Sequence, residues 1–538
     1  MHVDTRILAK RSEAPVNTGR RPDRGRFMSA RFLASFAMLA AVAACSTNPV
    51  TGKSEITFVG EETEIRMGEQ NYVPMQQSQG GEYDIDPVLT EYVQGVGNKL
   101  AAVSDRNLPY EFVVLNNSVP NAWALPGGKI AINRGLLTEL ESEAELAAVL
   151  GHEIVHAAAR HSARQMERGM LMQGLILATA VATSDSDYGR VAVGGANFAG
   201  QLLTLKYSRG AELEADSYGM KYMAAAGYDP QGAVSLQKTF VRLSEGQKSD
   251  WLSGLFASHP PSQERVEANI ATAAALPPGG ELGVEPYAEA MERTEEVEPA
   301  YVAYDEGRKA LAEKNSKLAI AKAEEAIAIL PQEAHFYALR GDARIINKQY
   351  DMAVTNFDNA IERRDDFFYY YLQRGRVNEE LGNDDAAVQD LQKSLEYLPT
   401  APAHFTLGNI AAKRGNRAVA IEHYKVVAGG QGEIAEAAQA SLVRLDLGQN
   451  PGAYLLRRCD PDANGQLVVS IKNNTSVPVT DVQLSVQVRD SSGVPRRIDR
   501  RLRGRLDAGE VVSVPTGLGP YTAGSDCPVQ ITSARPAR

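Results

Sequence analysis

The sequence predicts a multidomain chain in which an α+β domain is followed by an α-helical solenoid and a small β-sandwich. Three observations predict this order. A chain of 538 residues is too long to fold around one hydrophobic core of ordinary size. Small residues recur every 34 residues between about 299 and 449, and strand-like alternation begins near 450. A hydrophobic share of 44% with 23% charged residues is typical of folded domains.

Charge and cysteine content exclude two classes of function. The formal net charge of -11 would repel nucleic-acid phosphate, so we expect no nucleic-acid partner. Cys45, Cys459 and Cys527 are the three cysteines of the chain. They are too few for a disulfide-stapled scaffold or a thiolate zinc site.

The N-terminal region reads as a secretion signal. A basic start at Arg31 is followed by a short apolar run and by small residues before Cys45. The run is too short to cross a bilayer comfortably. Val42 to Cys45 resembles a bacterial lipobox, which implies a lipoprotein signal peptide at 28–44 and lipidation of Cys45. A plain secretory signal with an incidental cysteine is the alternative, and residues 1–27 read as an untranslated or disordered extension.

The first folded domain is expected to span residues 45–275. It mixes helical patterns with short strand-like runs, Phe112–Leu115 and Lys129–Ile132, which favours one α+β unit. Residues 276–298 contain a Pro-Pro-Gly-Gly sequence and then an acidic run, and they read as a linker or surface helix.

The second domain, residues 299–449, is predicted to be a repeat solenoid. Alanines recur every 34 residues, and glycines keep the same period at Gly307, Gly341 and Gly375. This period with small residues at helix crossings is typical of tetratricopeptide repeats, which stack helix pairs into a concave superhelix. About four repeats fit. The alanines are Ala319, Ala353 and Ala387.

The last segment, residues 450–538, alternates like short strands and reads as a β-sandwich. In an oxidising compartment Cys459 and Cys527 could pair within it, which the sequence alone leaves open. A strip of arginines fits either a solvated strand face or a contact with anionic lipid headgroups or an acidic partner. The strip is Arg496, Arg497, Arg500, Arg501, Arg503 and Arg505.

The strongest motif is His-Glu-Ile-Val-His at residues 152–156. Helical rotation places His152 and His156 one turn apart on one face, where both imidazoles can bind one metal. Glu153 lies beside them as a candidate general base. Helix-forming residues on both sides favour a continuous helix, and an ordinary buried helix with two satisfied histidines is the alternative.

A second helix offers the third ligand that a catalytic zinc site requires. Glu212 and Asp216 lie one turn apart. Glu212 could bind zinc through its carboxylate, and Asp216 could support a liganding imidazole by a hydrogen bond. An exposed acidic helix without a metal is the alternative. His259 and Arg265 are candidate donors to the oxyanion of a tetrahedral intermediate, although a surface loop would give the same pattern.

Together these motifs resemble the zinc metallopeptidase family of CAAX prenyl proteases and HtpX. The resemblance rests on the pentapeptide at 152–156, the Glu-x-x-Ala-Asp pattern ending at Asp216, and His259-Pro260 followed by Arg265. It implies a zincin-like domain with one Zn²⁺ per chain and endopeptidase activity. It also implies that His259 either stabilises the transition state or occludes the metal in a resting state.

The resemblance further implies an edge strand that binds the substrate backbone, formed by Lys129, Ile130, Ala131 and Ile132. The apolar stretch Met170 to Val181 is expected to be a core or lid helix, or to touch a membrane surface.

We therefore expect a periplasmic zinc metalloendopeptidase that is lipid-anchored to the outer membrane and degrades misfolded or stalled outer-membrane proteins. The repeats would bind substrate or the β-barrel assembly machinery. A chaperone or scaffold with a shut or regulated metal site is the main alternative. A peptidoglycan or lipopolysaccharide binder acting through the arginine strip is a third.

Overall fold

The computed structural model describes most of the chain from Cys45 onward. The predicted extension 1–27, the signal peptide 28–44 and the apolar stretch Met170 to Val181 lie outside the described residues. Among the helices described, none has both the length and the apolar character needed to cross a membrane. The described residues are 45–57, 59–165, 167, 207–246, 253–489, 494–522 and 527–537.

The first domain has a three-stranded sheet surrounded by helices, preceded by a short hairpin. Its elements in chain order are β1 (Cys45–Thr47), β2 (Ser54–Ile56), α1 (Glu61–Ser78), α2 (Pro87–Ala101), β3 (Glu111–Leu115), β4 (Ala122–Leu125), β5 (Lys129–Asn133), α3 (Arg134–Leu137), α4 (Glu143–Ala158), α5 (Arg209–Ala225), α6 (Gln231–Gly246), α7 (Ser253–Ser258) and α8 (Gln263–Ala275).

Local sequence explains why α4 and α5 begin where they do. The Ser142 hydroxyl accepts a hydrogen bond from the Glu145 amide at 3.2 Å, which caps α4. Ser208 caps α5 in the same way through the Ala211 amide at 3.3 Å. Acidic residues in each first turn suit the helix dipole. Every residue of α4 is buried, so this helix is the centre of the domain core.

The sheet order is β3-β5-β4, so β5 is the central strand. The edge strand predicted at Lys129 to Ile132 is therefore wrong. The hairpin with β4 covers one side of β5, and β3 pairs in parallel with the other, opposing Glu111 to Lys129. Both outer strands have one side that is unpaired by any described strand. On β3 that side carries a bridge between Glu82 and Leu115, whereas β4, at residues 122–125, has no such bridge among the described residues.

The solenoid consists of four helix pairs and a further helix. Its first helix begins at Val284, so much of the predicted linker 276–298 is helical, and Tyr287, Met291 and Val297 are buried in the core of the first domain. The helices are α9 (Val284–Ala312), α10 (Ser316–Ile329), α11 (Ala334–Ile346), α12 (Tyr350–Arg363), α13 (Phe368–Glu380), α14 (Asp384–Tyr397), α15 (Ala401–Lys413), α16 (Arg417–Ala428) and α17 (Glu433–Asp446).

The small residues of the 34-residue period lie where helices cross. Ala319, Ala353 and Ala387 have no exposed surface. A Cβ atom at Gly341 would lie 2.9 Å from the Phe357 ring, so a side chain there would force the helices apart. The period therefore reports helix packing, as the sequence predicted.

The C-terminal segment forms a β-sandwich, as predicted. One sheet has the order β11-β7-β6, and in the other β8 pairs with β9, β10 and β12. Both sheets contribute buried residues, among them Val469 and Leu484, to one core. Cys459 and Cys527 form a disulfide. The elements are α18 (Pro451–Tyr454), β6 (Leu455–Pro461), β7 (Leu467–Asn473), β8 (Val479–Arg489), β9 (Pro495–Arg501), β10 (Arg505–Leu506), β11 (Val511–Pro515) and β12 (Val529–Pro536).

The arginine strip lies on β9, β10 and the turn between them. All six arginines are exposed. Arg497 pairs with Asp499 at 3.4 Å, and Arg501 and Arg505 have partners in Asp481 and Asp507. Local carboxylates thus offset part of the positive charge, which favours the solvated strand face over a dedicated anion site.

Candidate metal centre

Four buried side chains converge in the first domain with the geometry of a metal site. One donor atom each from His152, His156, Glu212 and His259 lies within 4.8 Å of all the others. The Nε2 atoms of His152 and His156 are 2.9 Å apart, and His156 Nε2 lies 3.3 Å from Glu212 Oε1. The three ligands predicted from sequence are thus brought together, although Glu212 comes from a different helix.

Two glycines allow the helices that carry these ligands to approach each other closely. Gly151 on α4 faces Gly219 on α5. A Cβ atom at Gly219 would lie 3.0 Å from the backbone nitrogen of His152, and one at Gly151 would lie 3.2 Å from the Gly219 carbonyl oxygen. Backbone cannot yield as a side chain can, so only small residues permit this crossing.

Asp216 supports the site as predicted. Its carboxylate lies 2.9 Å from His152 Nδ1, which leaves the Nε2 atom of that ring free to face the other ligands. Arg265 binds Asp216 through two hydrogen bonds of 2.7 Å and lies 2.9 Å from Glu212. A fourth contact joins Arg265 to the carbonyl of Pro260 at 3.3 Å. The guanidinium is therefore engaged with the two carboxylates, which favours a positioning role, while the predicted oxyanion contact stays a prediction.

A second set of supporting residues was missed from the sequence. His161 Nδ1 lies 2.8 Å from His156 Nδ1, and His161 Nε2 lies 3.2 Å from Glu214 Oε1. When His156 offers Nε2 to a metal, its Nδ1 carries the proton and donates it toward His161, which in turn donates to Glu214. The Tyr207 ring stacks on His156 with centroids 3.8 Å apart. His161 was missed because its spacing of five residues from His156 does not match a recognised metal-ligand motif.

Glu153 is placed to act on a reacting group. Its side chain is buried, and its Oε2 atom has no hydrogen-bond partner among the described residues. Burial raises the pKa of this carboxyl above its ordinary value. An unpartnered carboxylate oxygen beside a metal-ligand cluster is what a general base requires.

His259 lies between Glu153 and the other ligands. Its Nδ1 atom is 3.1 Å from Glu212 Oε1 and 3.2 Å from His152 Nε2. Its Nε2 atom is 3.6 Å from Glu153 Oε1. The imidazole thus occupies the space where water or a substrate carbonyl would have to lie.

The protonation states suit metal binding. Burial lowers the pKa of His156 well below its ordinary value, so the ring is neutral. Burial acts to raise the pKa of Glu212, but His259 and His152 hold it well below the usual range. The site thus offers a neutral imidazole and an ionised carboxylate, the forms in which these groups bind metals.

The donor set fits zinc. Tetrahedral ligands at the usual distance of ~2.1 Å from zinc lie about 3.4 Å from each other. Neighbouring donors are separated by 2.9 to 3.6 Å, close to that value, and no two of the four donors are more than 4.8 Å apart. Histidine and carboxylate donors are those of catalytic zinc sites.

Comparison with protein families gives two matches. Residues 87–272 match Peptidase family M48, and this range includes every residue of the metal centre. Residues 368–399 match a tetratricopeptide repeat and coincide with α13 and α14.

Individual relatives are similar to part of this chain. A beta-barrel assembly-enhancing protease of Yersinia pestis is 32% identical over 35% of this chain and 40% of its own length. The mitochondrial metalloendopeptidase OMA1 of Schizosaccharomyces pombe is 33% identical over 40% of this chain and 63% of its own. Metalloprotease YcaL of Escherichia coli is 30% identical over 33% of this chain and 66% of its own. The matched region thus spans less than two thirds of each relative.

Proposed function

We propose that this chain, which carries a domain of Peptidase family M48 and a tetratricopeptide repeat, is a zinc-dependent endopeptidase of the bacterial cell envelope. The observation that carries the proposal is the convergence of four buried donor atoms beside the unpartnered carboxylate of Glu153. Within it, His152, His156 and Glu212 would hold the zinc ion, and Asp216 and Arg265 would fix the orientation of the ligands.

Catalysis divides between the metal and Glu153. A bound zinc ion supplies a Lewis acid that polarises the scissile carbonyl. Glu153 accepts the proton of the attacking water and delivers it to the leaving nitrogen. Burial raises the pKa of this carboxyl, which makes its carboxylate a stronger base toward the attacking water.

The substrate backbone binds along β4. In an antiparallel pair alternate residues turn their N–H and C=O groups toward the partner strand. The hydrogen bond of 2.8 Å from the Asn133 amide to the Asn121 carbonyl fixes the phase, so Trp123 faces β5 while Ala122 and Ala124 face away. A substrate strand would pair with these two residues and would displace the Ser162 hydroxyl, which donates to the Ala124 carbonyl oxygen at 3.3 Å.

We infer a resting form of this enzyme in which His259 would be the fourth ligand of the zinc ion. Four protein ligands close a zinc site, whereas catalysis needs an open position. The cavity beside His152 and Glu153 measures about 40 Å³, which holds water but no substrate side chain. Activation would therefore withdraw His259 together with the segment between α7 and α8.

The envelope assignment combines the predicted lipoprotein signal with the names of the relatives. We infer that the chain is periplasmic, is anchored to the outer membrane through lipidated Cys45, and degrades misfolded or stalled outer-membrane proteins. The repeats would contact the substrate or the β-barrel assembly machinery, since helical repeats commonly bind polypeptides on their concave face.

The test is degradation of a purified outer-membrane β-barrel protein, offered unfolded or folded in detergent, by the zinc-loaded chain from residue 46 onward. We expect cleavage of the unfolded form only, faster cleavage by His259→Ala because that change opens the site, and none by Glu153→Gln. Equal cleavage of both substrate forms would contradict the quality-control role. No cleavage by either the parent or His259→Ala would contradict the peptidase.

The closed site also favours a second candidate, a chaperone or scaffold of outer-membrane assembly whose metal centre is shut. The two candidate functions predict different results in cells. If a strain that carries only Glu153→Gln assembles its outer membrane as well as one with the parent gene, the scaffold is the better account. If it accumulates the unassembled β-barrel proteins that the parent strain removes, the peptidase is.

A further inference from the structure

A cavity of about 530 Å³ lies where the first domain meets the repeats, away from the metal ligands. This volume is within the range of small-ligand and peptide pockets. One wall is formed by the end of α1, residues 77–80, and the loop 116–118, and the other by α9, α11 and the start of α13.

The two walls are joined directly, so the cavity is preformed. The Gln77 side chain donates to the Asp366 carbonyl at 2.7 Å and accepts from the Phe368 amide at 2.8 Å. Asn116 donates to Glu333 at 2.8 Å, and His335 Nε2 lies 2.9 Å from the Gly80 carbonyl oxygen. Little ordering would be needed when a ligand enters.

The lining is aromatic with one exposed cation. Tyr304 presents a partly exposed ring, and Arg308 lies 5.6 Å from its centroid. The Arg308 side chain is 55% exposed and has one distant ionic partner, Asp305 at 3.8 Å. Asp342 is engaged by Tyr369 and Gln373. Such a surface suits the ring of an aromatic residue, through stacking and cation–π contact. The other lining rings belong to Tyr301, His335, Phe367, Phe368 and Tyr369.

The cavity lies close to the start of β4. Ser118 lines the cavity, and β4 begins at Ala122, four residues later. Four residues span at most ~14 Å when extended. A chain paired with β4 and continuing past Ala122 would therefore reach the cavity within about five residues.

We propose that this cavity is an exosite for the substrate, which holds an aromatic side chain on an extended segment a few residues from the scissile bond. The proposal rests on the proposed function in that the ligand is the unfolded polypeptide being cut. It would favour unfolded chains, because folded proteins offer few aromatic residues on extended and exposed segments.

The first test uses a fluorogenic core peptide and the same core extended by six residues at either end, with phenylalanine or serine at the fifth added position. For the extension on the side of the cavity, the phenylalanine peptide should have a KM about tenfold lower than the serine peptide. The kcat should be equal, because the ring makes the same contact before and during the reaction.

Two variants locate the effect. Tyr304→Ala removes a ring of the cavity, and Ala312→Trp fills it from an exposed position, so both should abolish the phenylalanine advantage while the core peptide is cut as before. Tyr371→Ala is the matched control, because this tyrosine is on α13 but does not line the cavity. An advantage that survives both cavity variants would overturn the exosite.

A binding measurement separates failure of the exosite from failure of the proposed function. Fluorescence anisotropy with the full chain carrying Glu153→Gln should show that, for the extension on the side of the cavity, the phenylalanine peptide binds about tenfold more tightly than the serine peptide, whether or not the parent cuts them. Equal affinity would sink the exosite even if the core peptide is cleaved. It would also be the result if the cavity receives a folded assembly component.

Discussion

At the residue scale, the ligand spacing could be read from the sequence, but the support of the ligands could not. His152 and His156 follow from helical rotation, whereas His161 approaches His156 because the chain turns sharply after α4. The turn places Arg160 at φ 61°, a left-handed conformation that usually requires glycine. Glu64 and the Val59 carbonyl hold the Arg160 guanidinium there. The local sequence gives no indication of such a turn.

Replacing His161 with alanine should weaken zinc binding by about 10- to 100-fold, because the Nδ1 proton of His156 would lose its acceptor. Competition with a chromogenic chelator measures this directly. His161→Asn, which keeps an acceptor at short reach, should restore part of the affinity. His404→Ala is the control, since that histidine is in α15, far along the chain. Unchanged affinity in His161→Ala would show that the contact is incidental.

Asp342 gives a prediction for stability against pH. Burial raises the pKa of this carboxyl to about 6. A folded state with the higher pKa binds the proton more tightly than the unfolded state, so stability falls as pH rises from ~4 to ~6. Asp342→Asn removes that penalty and should stabilise the protein at pH 8 by up to ~3 kcal/mol. The gain should vanish near pH 4 in thermal unfolding scans, and a gain independent of pH would contradict the account.

At the scale of elements, the sequence predicted strands at Phe112–Leu115 and Lys129–Ile132 but not their neighbours in the sheet. The hairpin of β4 and β5 is local, whereas the parallel pairing of β3 with β5 crosses over β4 and depends on the tertiary fold. The strand that was predicted to lie at the edge of the sheet, β5, is therefore its central strand. The same limit hid the close crossing of α4 and α5 at Gly151 and Gly219, because neither glycine is marked by a local turn.

The revised edge can be tested with one backbone hydrogen bond. Ala124→Pro removes an N–H that faces away from β5, so it should leave the sheet intact and lower kcat/KM roughly tenfold. Ala124→Val has a similar volume and keeps the N–H, and it should retain most of the activity. Zinc content should be unchanged in both. Equal loss in the two variants would point to crowding in place of a lost substrate contact.

At the scale of the whole molecule, the order of three domains was predictable because their sequence patterns differ. The first domain mixes helical and strand patterns, the second repeats every 34 residues, and the third alternates like strands. The boundary between the first domain and the repeats, placed near residue 275, was not predictable from the sequence. The acidic run before 298 looked like linker, yet its apolar residues Tyr287, Met291 and Val297 are the buried face of α9, and the Tyr287 hydroxyl donates to the Leu137 carbonyl at 2.6 Å. The first half of α9 thus completes the first domain.

A fragment of residues 46–275 should therefore be less stable than one of residues 46–312. Each buried side chain of α9 contributes ~1.5–3 kcal/mol, so the difference should be about 5 kcal/mol or more. Chemical denaturation of the two fragments would measure it. Equal stability would mean that α9 belongs to the solenoid alone and that the predicted boundary is the physical one.

The most direct test of the zinc peptidase mechanism is the ratio of kcat between the parent and Glu153→Gln on one unfolded substrate, with equal zinc content established by elemental analysis. Glutamine preserves the shape of the side chain but cannot accept the proton, so we predict a loss of about 10²- to 10⁴-fold with zinc retained. Equal rates in the two zinc-loaded proteins would contradict the assignment of Glu153 as the base and, with it, the proposed mechanism.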